Sequence, residues 1–239
     1  MTTTQPPHLV LVHGMGGTPF TWSSVVPLLA ERGYSFSVAD NLSQSLHNDE
    51  ANVRALIDAV DGPVLLVGHS YGGAVITAAG THGRVVGIVY VAAFAPDTGE
   101  SVNQIVSSYE PAEVSKYFTR GANGEWIPAP DEESWRELAW DVPEEVRIAG
   151  RAERRDSADA IFTQPIVEPA WRSRPSWYLI ATSDKHLRPE IQFDMARRMG
   201  ATIDEVDTSH AVPHAAPERV VAMIMRAIES GGLRSSGLG

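Results

Sequence analysis

The run Val64-Leu65-Leu66-Val67-Gly68-His69-Ser70-Tyr71-Gly72-Gly73 constrains this chain more than any other stretch. It starts behind Gly62-Pro63 as an apolar segment too short for an ordinary helix, so it reads as a buried strand. It ends in Gly68-x-Ser70-x-Gly72 and passes into the small apolar run Ala74-Val75-Ile76-Thr77-Ala78-Ala79, which Gly80 can close as a helix C-cap. Strand, sharp turn and helix in that order are the setting of a nucleophile elbow. Such a turn strains the Ser70 backbone and holds its hydroxyl clear of the sheet, while Gly68 and Gly72 let strand and helix approach closely. The helix start turns backbone N–H groups and a positive dipole end toward the reacting atom. A Gly-x-Ser-x-Gly match alone fixes only three positions; the flanking strand and helix give it weight.

The same alternation runs along much of the chain. His8 to His13 reads as a first buried strand, followed by the glycine-rich turn Gly14-Met15-Gly16-Gly17-Thr18-Pro19. Phe20 to Arg32 carries Trp22, Val25, Val26, Leu28 and Leu29 at helical spacing and ends at Gly33. Tyr34 to Ala39 is a second strand, and Glu50 to Val60 a helix with Val53, Leu56, Ile57 and Val60 on one face. Strands follow at Val85 to Ala92, Ser176 to Thr182 and Ala201 to Val206. Helices are expected at Pro189 to Met199 and Pro217 to Glu229, the latter with Val220, Val221, Ile224 and Ile228 as its buried stripe. The pattern predicts an α/β fold, a mainly parallel six-stranded sheet with helices on both faces. Such sheets bind ligands at the carboxyl ends of their strands, where the Gly14 turn, Ser70 and the Phe94-Ala95-Pro96 loop all fall.

From Asp97 to about Pro175 the alternation stops, and aromatic residues are scattered among charges and prolines. Val142-Pro143-Glu144-Glu145 reads as a helix start. Too few aliphatic residues lie here for an independent core, so residues 97–175 are expected to form a cap inserted into one domain spanning 1–239. Trp126, Trp135 and Trp140 are expected to roof the substrate pocket over Ser70.

Composition narrows the function classes. A net charge of −11 with no long basic run argues against nucleic acid or an anionic membrane surface as partner. The absence of cysteine excludes disulfides, thiolate catalysis and cysteine-ligated metals. Met1 to Pro7 lacks the apolar core of a signal peptide, and no apolar run approaches the ~20 residues of a membrane span, so a cytoplasmic enzyme is expected. Its partner is expected to be a small molecule; oligomeric state stays open, a homodimer included.

A serine hydroxyl needs a base within hydrogen-bond reach, and the base needs an orienting carboxylate. In this architecture the chain order is serine, acid, histidine. His210 in Asp207-Thr208-Ser209-His210 follows the last strand and is the expected base, ahead of His186 and His214. Asp184 follows the preceding strand and is the expected acid, ahead of Asp97. A His210–His214 metal pair is disfavoured because Pro213 interrupts the helix that would align them. The oxyanion hole is expected from the N–H groups of Tyr71 and Met15. The Met15 turn has neither phosphate-loop spacing, which argues against a nucleotide.

These residues resemble the α/β-hydrolase superfamily, and more narrowly its small cofactor-free branch of plant salicylate methylesterases, hydroxynitrile lyases and related bacterial esterases. The resemblance rests on Leu9-Val10-Leu11-Val12-His13-Gly14, Gly68-His69-Ser70-Tyr71-Gly72-Gly73, Tyr90 to Pro96 with Gly99-Glu100-Ser101, Asp184 with Pro189, and Ser209-His210. It covers the core from end to end and the cap only loosely. It implies a lidded α/β-hydrolase fold, Ser70, Asp184 and His210 as a triad, Met15 and Tyr71 at the oxyanion hole, and no metal or organic cofactor. The turn Gly16-Gly17-Thr18-Pro19 departs from the bulky, tryptophan-containing version usual in the plant members. The implied activity is hydrolysis of small apolar carboxylic esters through an acyl-enzyme. Two alternatives are a carbon–carbon lyase and a non-catalytic receptor on the same fold. The lyases that the chain resembles carry a threonine after the first-strand histidine and a lysine after the catalytic histidine. Here those positions hold Gly14 and Ala211, leaving Lys185 as the nearby cation.

Overall fold

Parallel pairing of short apolar runs organises the molecule. The computed structural model describes residues 6–122, 126–128 and 132–230, apart from the side chains at 120, 126, 128, 132 and 134. Strands β1 (His8–Val12), β2 (Phe36–Val38), β3 (Val64–His69) and β4 (Val85–Val91) precede a long connection; β7 (Ser176–Ala181) and β8 (Thr202–Val206) follow it. They form one six-stranded sheet in the order β2-β1-β3-β4-β7-β8, with every pairing parallel.

Alternate residues of each strand face opposite layers. Val10, Val12, Leu66, Tyr90 and Tyr178 pack against α2 (Leu46–Asp58), α3 (Gly72–Ala79) and α8 (Pro189–Arg198). Leu9, Leu11, Leu65, Val67 and Leu179 pack against α1 (Val26–Glu31) and against α10 (Pro217–Ser230), which follows the short α9 (Val212–Ala215) and whose stripe Val220, Val221, Ile224 and Ile228 is buried as its spacing predicts. The central strands are apolar on both faces because helices cover both.

Register then fixes the site. Val12 lies opposite Gly68, His69 opposite Val91, Val91 opposite Leu179, and Ala181 opposite Val206. The strands therefore end together, and the segments that follow them gather at one edge.

Three local expectations change. The segment Phe20 to Arg32 is a 3₁₀ turn, Pro19–Trp22, and then α1, because Pro27 lacks an N–H and suits only the first turn of a helix. Helix α2 starts at Leu46 rather than Glu50, since Ser45 Oγ accepts the Asn48 N–H at 3.1 Å and caps it. Gly80 closes α3 with a right-handed φ of −70°, so it is no left-handed cap. A Cβ there would stand 2.8 Å from Ala170 Cβ, so close packing requires the glycine.

Between β4 and β7 run α4 (Val102–Ser107), a 3₁₀ turn (Glu113–Tyr117), the hairpin β5 (Phe118–Arg120) and β6 (Trp126–Pro128), α5 (Glu132–Leu138), α6 (Glu144–Ala152) and α7 (Ala160–Thr163). Helix α6 begins after Pro143, as its sequence predicts. This segment is tied to the strand-end loops: Arg155 N–H donates to Gly16 O at 2.9 Å, Ser209 N–H to Asp141 Oδ2 at 2.7 Å, and Trp171 Nε1–H to Pro96 O at 3.0 Å. No described helix is long and apolar enough to cross a membrane.

Candidate active site

Ser70 stands directly after β3 with φ of 54°, a left-handed conformation that side chains rarely adopt. Its backbone is over-determined: its N–H donates to Val91 O at 3.3 Å, and its carbonyl accepts from Gly73 and Phe94 at 3.0 Å each. The turn needs its glycines. A Cβ at Gly68 would stand 2.6 Å from Ile76 Cδ1, and one at Gly72 only 2.4 Å from Val12 O. Gly14 is equally constrained, because a Cβ there would meet Ser70 Cβ at 2.8 Å.

His210 and Asp184 come together. His210 Nδ1 lies 2.6 Å from Asp184 Oδ2, and both residues are buried. A carboxylate oxygen accepts, so Nδ1–H is the donor of this pair. Asp184 is itself held: Oδ1 accepts the N–H groups of His186 (2.7 Å) and Leu187 (2.9 Å), and Oδ2 also accepts Gln192 Nε2–H at 2.8 Å. Ser70, His210 and His186 line one cavity of about 550 Å³. Among the described residues no hydrogen bond joins Ser70 to the His210 ring; such bonds commonly tighten only with substrate bound.

The rival residues are engaged elsewhere. Asp97 forms a two-pronged pair with Arg172, 2.8 Å to Nε and 2.6 Å to Nη2. Slight burial would raise its pKa, but Arg172 outweighs it and the carboxyl ends below its ordinary value. His214 Nδ1 lies 3.1 Å from Ser24 Oγ, and its ring packs on Phe20. Lys185 pairs with Glu137 (3.3 Å) and Glu113 (3.6 Å) and does not line the cavity of Ser70.

His186 does more than the sequence suggested. Its ring stacks on His210 with centroids 4.7 Å apart, and burial followed by the neighbouring His210 lowers its pKa well below 6.5. His69 lies on another side of His210, also at 4.7 Å, and its Nε2–H donates to the His210 carbonyl at 2.8 Å. Burial, then His210, keeps it neutral as well. Asp184, His186 and His210 offer ligand atoms within 4.8 Å of one another, but both oxygens of Asp184 already accept hydrogen bonds, so the set reads as a hydrogen-bonded one.

Met15 and Tyr71 also line the Ser70 cavity, and neither backbone N–H has an acceptor among the described residues. A chain of bonds connects them. Tyr71 OH donates to Asp49 Oδ2 (2.9 Å), Ser43 N–H to Asp49 Oδ1 (3.3 Å), and Gly16 N–H to Ser43 Oγ (3.1 Å). Nothing in the sequence singled out Asp49, which precedes the helix expected from Glu50 and instead lies in the first turn of α2. Gln192 was detectable in principle, as a polar residue on the buried face of α8 with Ile191 and Met195.

Among the described residues, neither Trp135 nor Trp140, both expected over Ser70, lines its cavity. The cavity is walled by Val106 of α4, Tyr109, Val114 of the 3₁₀ turn, Phe118 of β5 and Phe162 of α7. Trp135 lines a second, smaller cavity, Trp140 is 50% exposed, and the Trp126 side chain lies outside the described residues.

This fold defines a class, and a family model identifies it. The chain belongs to the alpha/beta hydrolase family, whose model matches residues 9–223. The α/β hydrolase nvfD of Aspergillus novofumigatus is 29% identical over 178 residues, 69% of each chain. The carbendazim hydrolyzing esterase of a Nocardioides species is 28% identical over 128 residues, 48% of this chain and 53% of that one. A pyrethroid hydrolase from Sphingobium faniae shares the fold, with a TM-score of 0.81 over 94% of this chain and 98% of that one at 23% identity.

Proposed function

We propose that this protein is a serine hydrolase of small apolar carboxylic esters, a single domain in which residues 97–175 form the cap. The observation that carries this reading is the shared cavity: Ser70, strained at an elbow, faces the same space as His210, which Asp184 holds at 2.6 Å.

Ser70 Oγ attacks the ester carbonyl while His210 Nε2 takes its proton. Asp184 stabilises the imidazolium through Nδ1–H, and the N–H groups of Met15 and Tyr71 receive the developing oxyanion. Collapse expels the alcohol, which leaves with the proton from His210. Water then attacks the acyl-enzyme with His210 again as base, releasing the carboxylic acid and restoring Ser70. The mainly apolar cavity suits an acyl or alcohol group without charge. Lyase chemistry on the hydroxynitrile pattern would need a cation at the leaving group, and Lys185 is held outside the cavity by two glutamates.

The test is hydrolysis of p-nitrophenyl butyrate beside cyanide release from mandelonitrile. The reading requires ester turnover that Ser70→Ala abolishes and no cyanide above background. Efficient cyanide release without ester turnover would overturn it.

A further inference from the structure

A second cavity, about 150 Å³, lies beside the first, and His186 and His210 line both. Its character is different. Arg147, Arg151 and Arg154 line it, and among the described residues no acidic one does, in a chain where Asp and Glu outnumber Lys and Arg 30 to 19; Arg147 and Arg151 have further partners of their own. Two nitrogens of its lining residues, His186 Nδ1 and Arg154 Nε, are buried without a hydrogen-bond partner among the described residues. Arg154 donates to one acceptor, Met15 O at 3.2 Å, and makes no ion pair among the described residues. Burial lowers its pKa to about 10, which still leaves it charged at neutral pH. A half-buried guanidinium with one carbonyl acceptor keeps donors that an anion can satisfy.

We propose that this smaller cavity is a separate binding site for a small organic carboxylate with an apolar body. The guanidinium fork of Arg154 matches a carboxylate in two-pronged geometry. Phe20, Leu138 and Val142 supply an apolar wall, and the Trp135 ring lies 5.1 Å from the Arg154 guanidinium carbon. That combination selects an aromatic or short aliphatic acid over a bare inorganic ion. An ester hydrolase releases one carboxylate per turnover, so the acid product is the natural occupant; this identification, unlike the site itself, rests on the esterase reading.

Calorimetric titration of the wild-type protein with sodium benzoate tests the site, with benzyl alcohol as the uncharged counterpart and sodium sulfate as the inorganic anion. Arg154→Gln and Arg151→Gln are titrated in parallel. Arg151 does not brace the Met15 turn, so its variant reports even if Arg154→Gln folds poorly. Benzoate is expected to bind, with its Kd raised at least about tenfold in each variant, the size of one charge-assisted hydrogen bond. Benzyl alcohol and sulfate are expected to bind at least about tenfold more weakly than benzoate. Absence of benzoate binding means that water alone fills the cavity and overturns the proposal. So does benzoate affinity unchanged in both variants, or equal affinity for benzyl alcohol or sulfate. Turnover is not read, so a failure of the esterase assay leaves this result intact.

Discussion

The Tyr71 hydroxyl donates a 2.9 Å hydrogen bond to Asp49 Oδ2, tying the residue after Ser70 to a carboxylate that is 2% exposed. The other oxygen of Asp49 holds Ser43, whose hydroxyl holds Gly16 beside Met15. One buried carboxylate thus braces both arms of the proposed oxyanion hole. Asp49→Ala is expected to lower kcat by about tenfold or more, since donors aimed at a developing charge lose value when they drift, and to leave KM nearly unchanged. Steady-state kinetics on p-nitrophenyl butyrate, with the melting temperature measured alongside, check this. A stability loss with kcat intact would make Asp49 merely structural.

Asp184→Asn is expected to cost roughly 10⁴ in kcat, because the amide favours the wrong His210 tautomer while keeping the shape. Asp97→Asn is expected to leave kcat unchanged, since Asp97 is engaged with Arg172. Parallel kinetics of the two variants decide between them, and the reverse ranking would assign the acid to Asp97.

Stability should fall on the acid side of neutrality. Burial lowers the pKa of His69, His186 and His214 in the folded state, His214 to about 4. The unfolded chain, with ordinary histidines near 6.5, takes up protons first. The stabilising contribution is therefore complete above about pH 6.5 and is lost as pH falls through the window down to about 4. The melting temperature is expected to drop between pH 7 and pH 4.5, and His214→Gln to drop less. An equal or larger drop in the variant would show that His214 contributes nothing to the window.

The elbow was readable in sequence because its physics is local: an apolar strand, glycines where backbones touch and a small-residue helix fall within sixteen residues, Val64 to Ala79. Asp184 and His210 followed from chain order once the strands before them were placed. Proline at 27 and Ser45 were local signals too, and misplacing α1 and α2 came from weighting apolar spacing above caps. The roof over Ser70 was not readable. Its aromatic residues lie in short elements without periodicity, and which of them faces the cavity depends on how the long β4–β7 connection folds back. The Asp49–Tyr71 bond spans 22 residues, and the His69 contact to the His210 carbonyl spans 141. Neither leaves a pattern in any window of sequence.

The central claim is that Ser70 carries an acyl group during turnover. Mass spectrometry of protein quenched with acid during steady-state turnover of p-nitrophenyl acetate tests it most directly. The account predicts one added acetyl group, located on the peptide containing Ser70 and absent from Ser70→Ala. Acetylation confined to another residue, with turnover retained in Ser70→Ala, would contradict it.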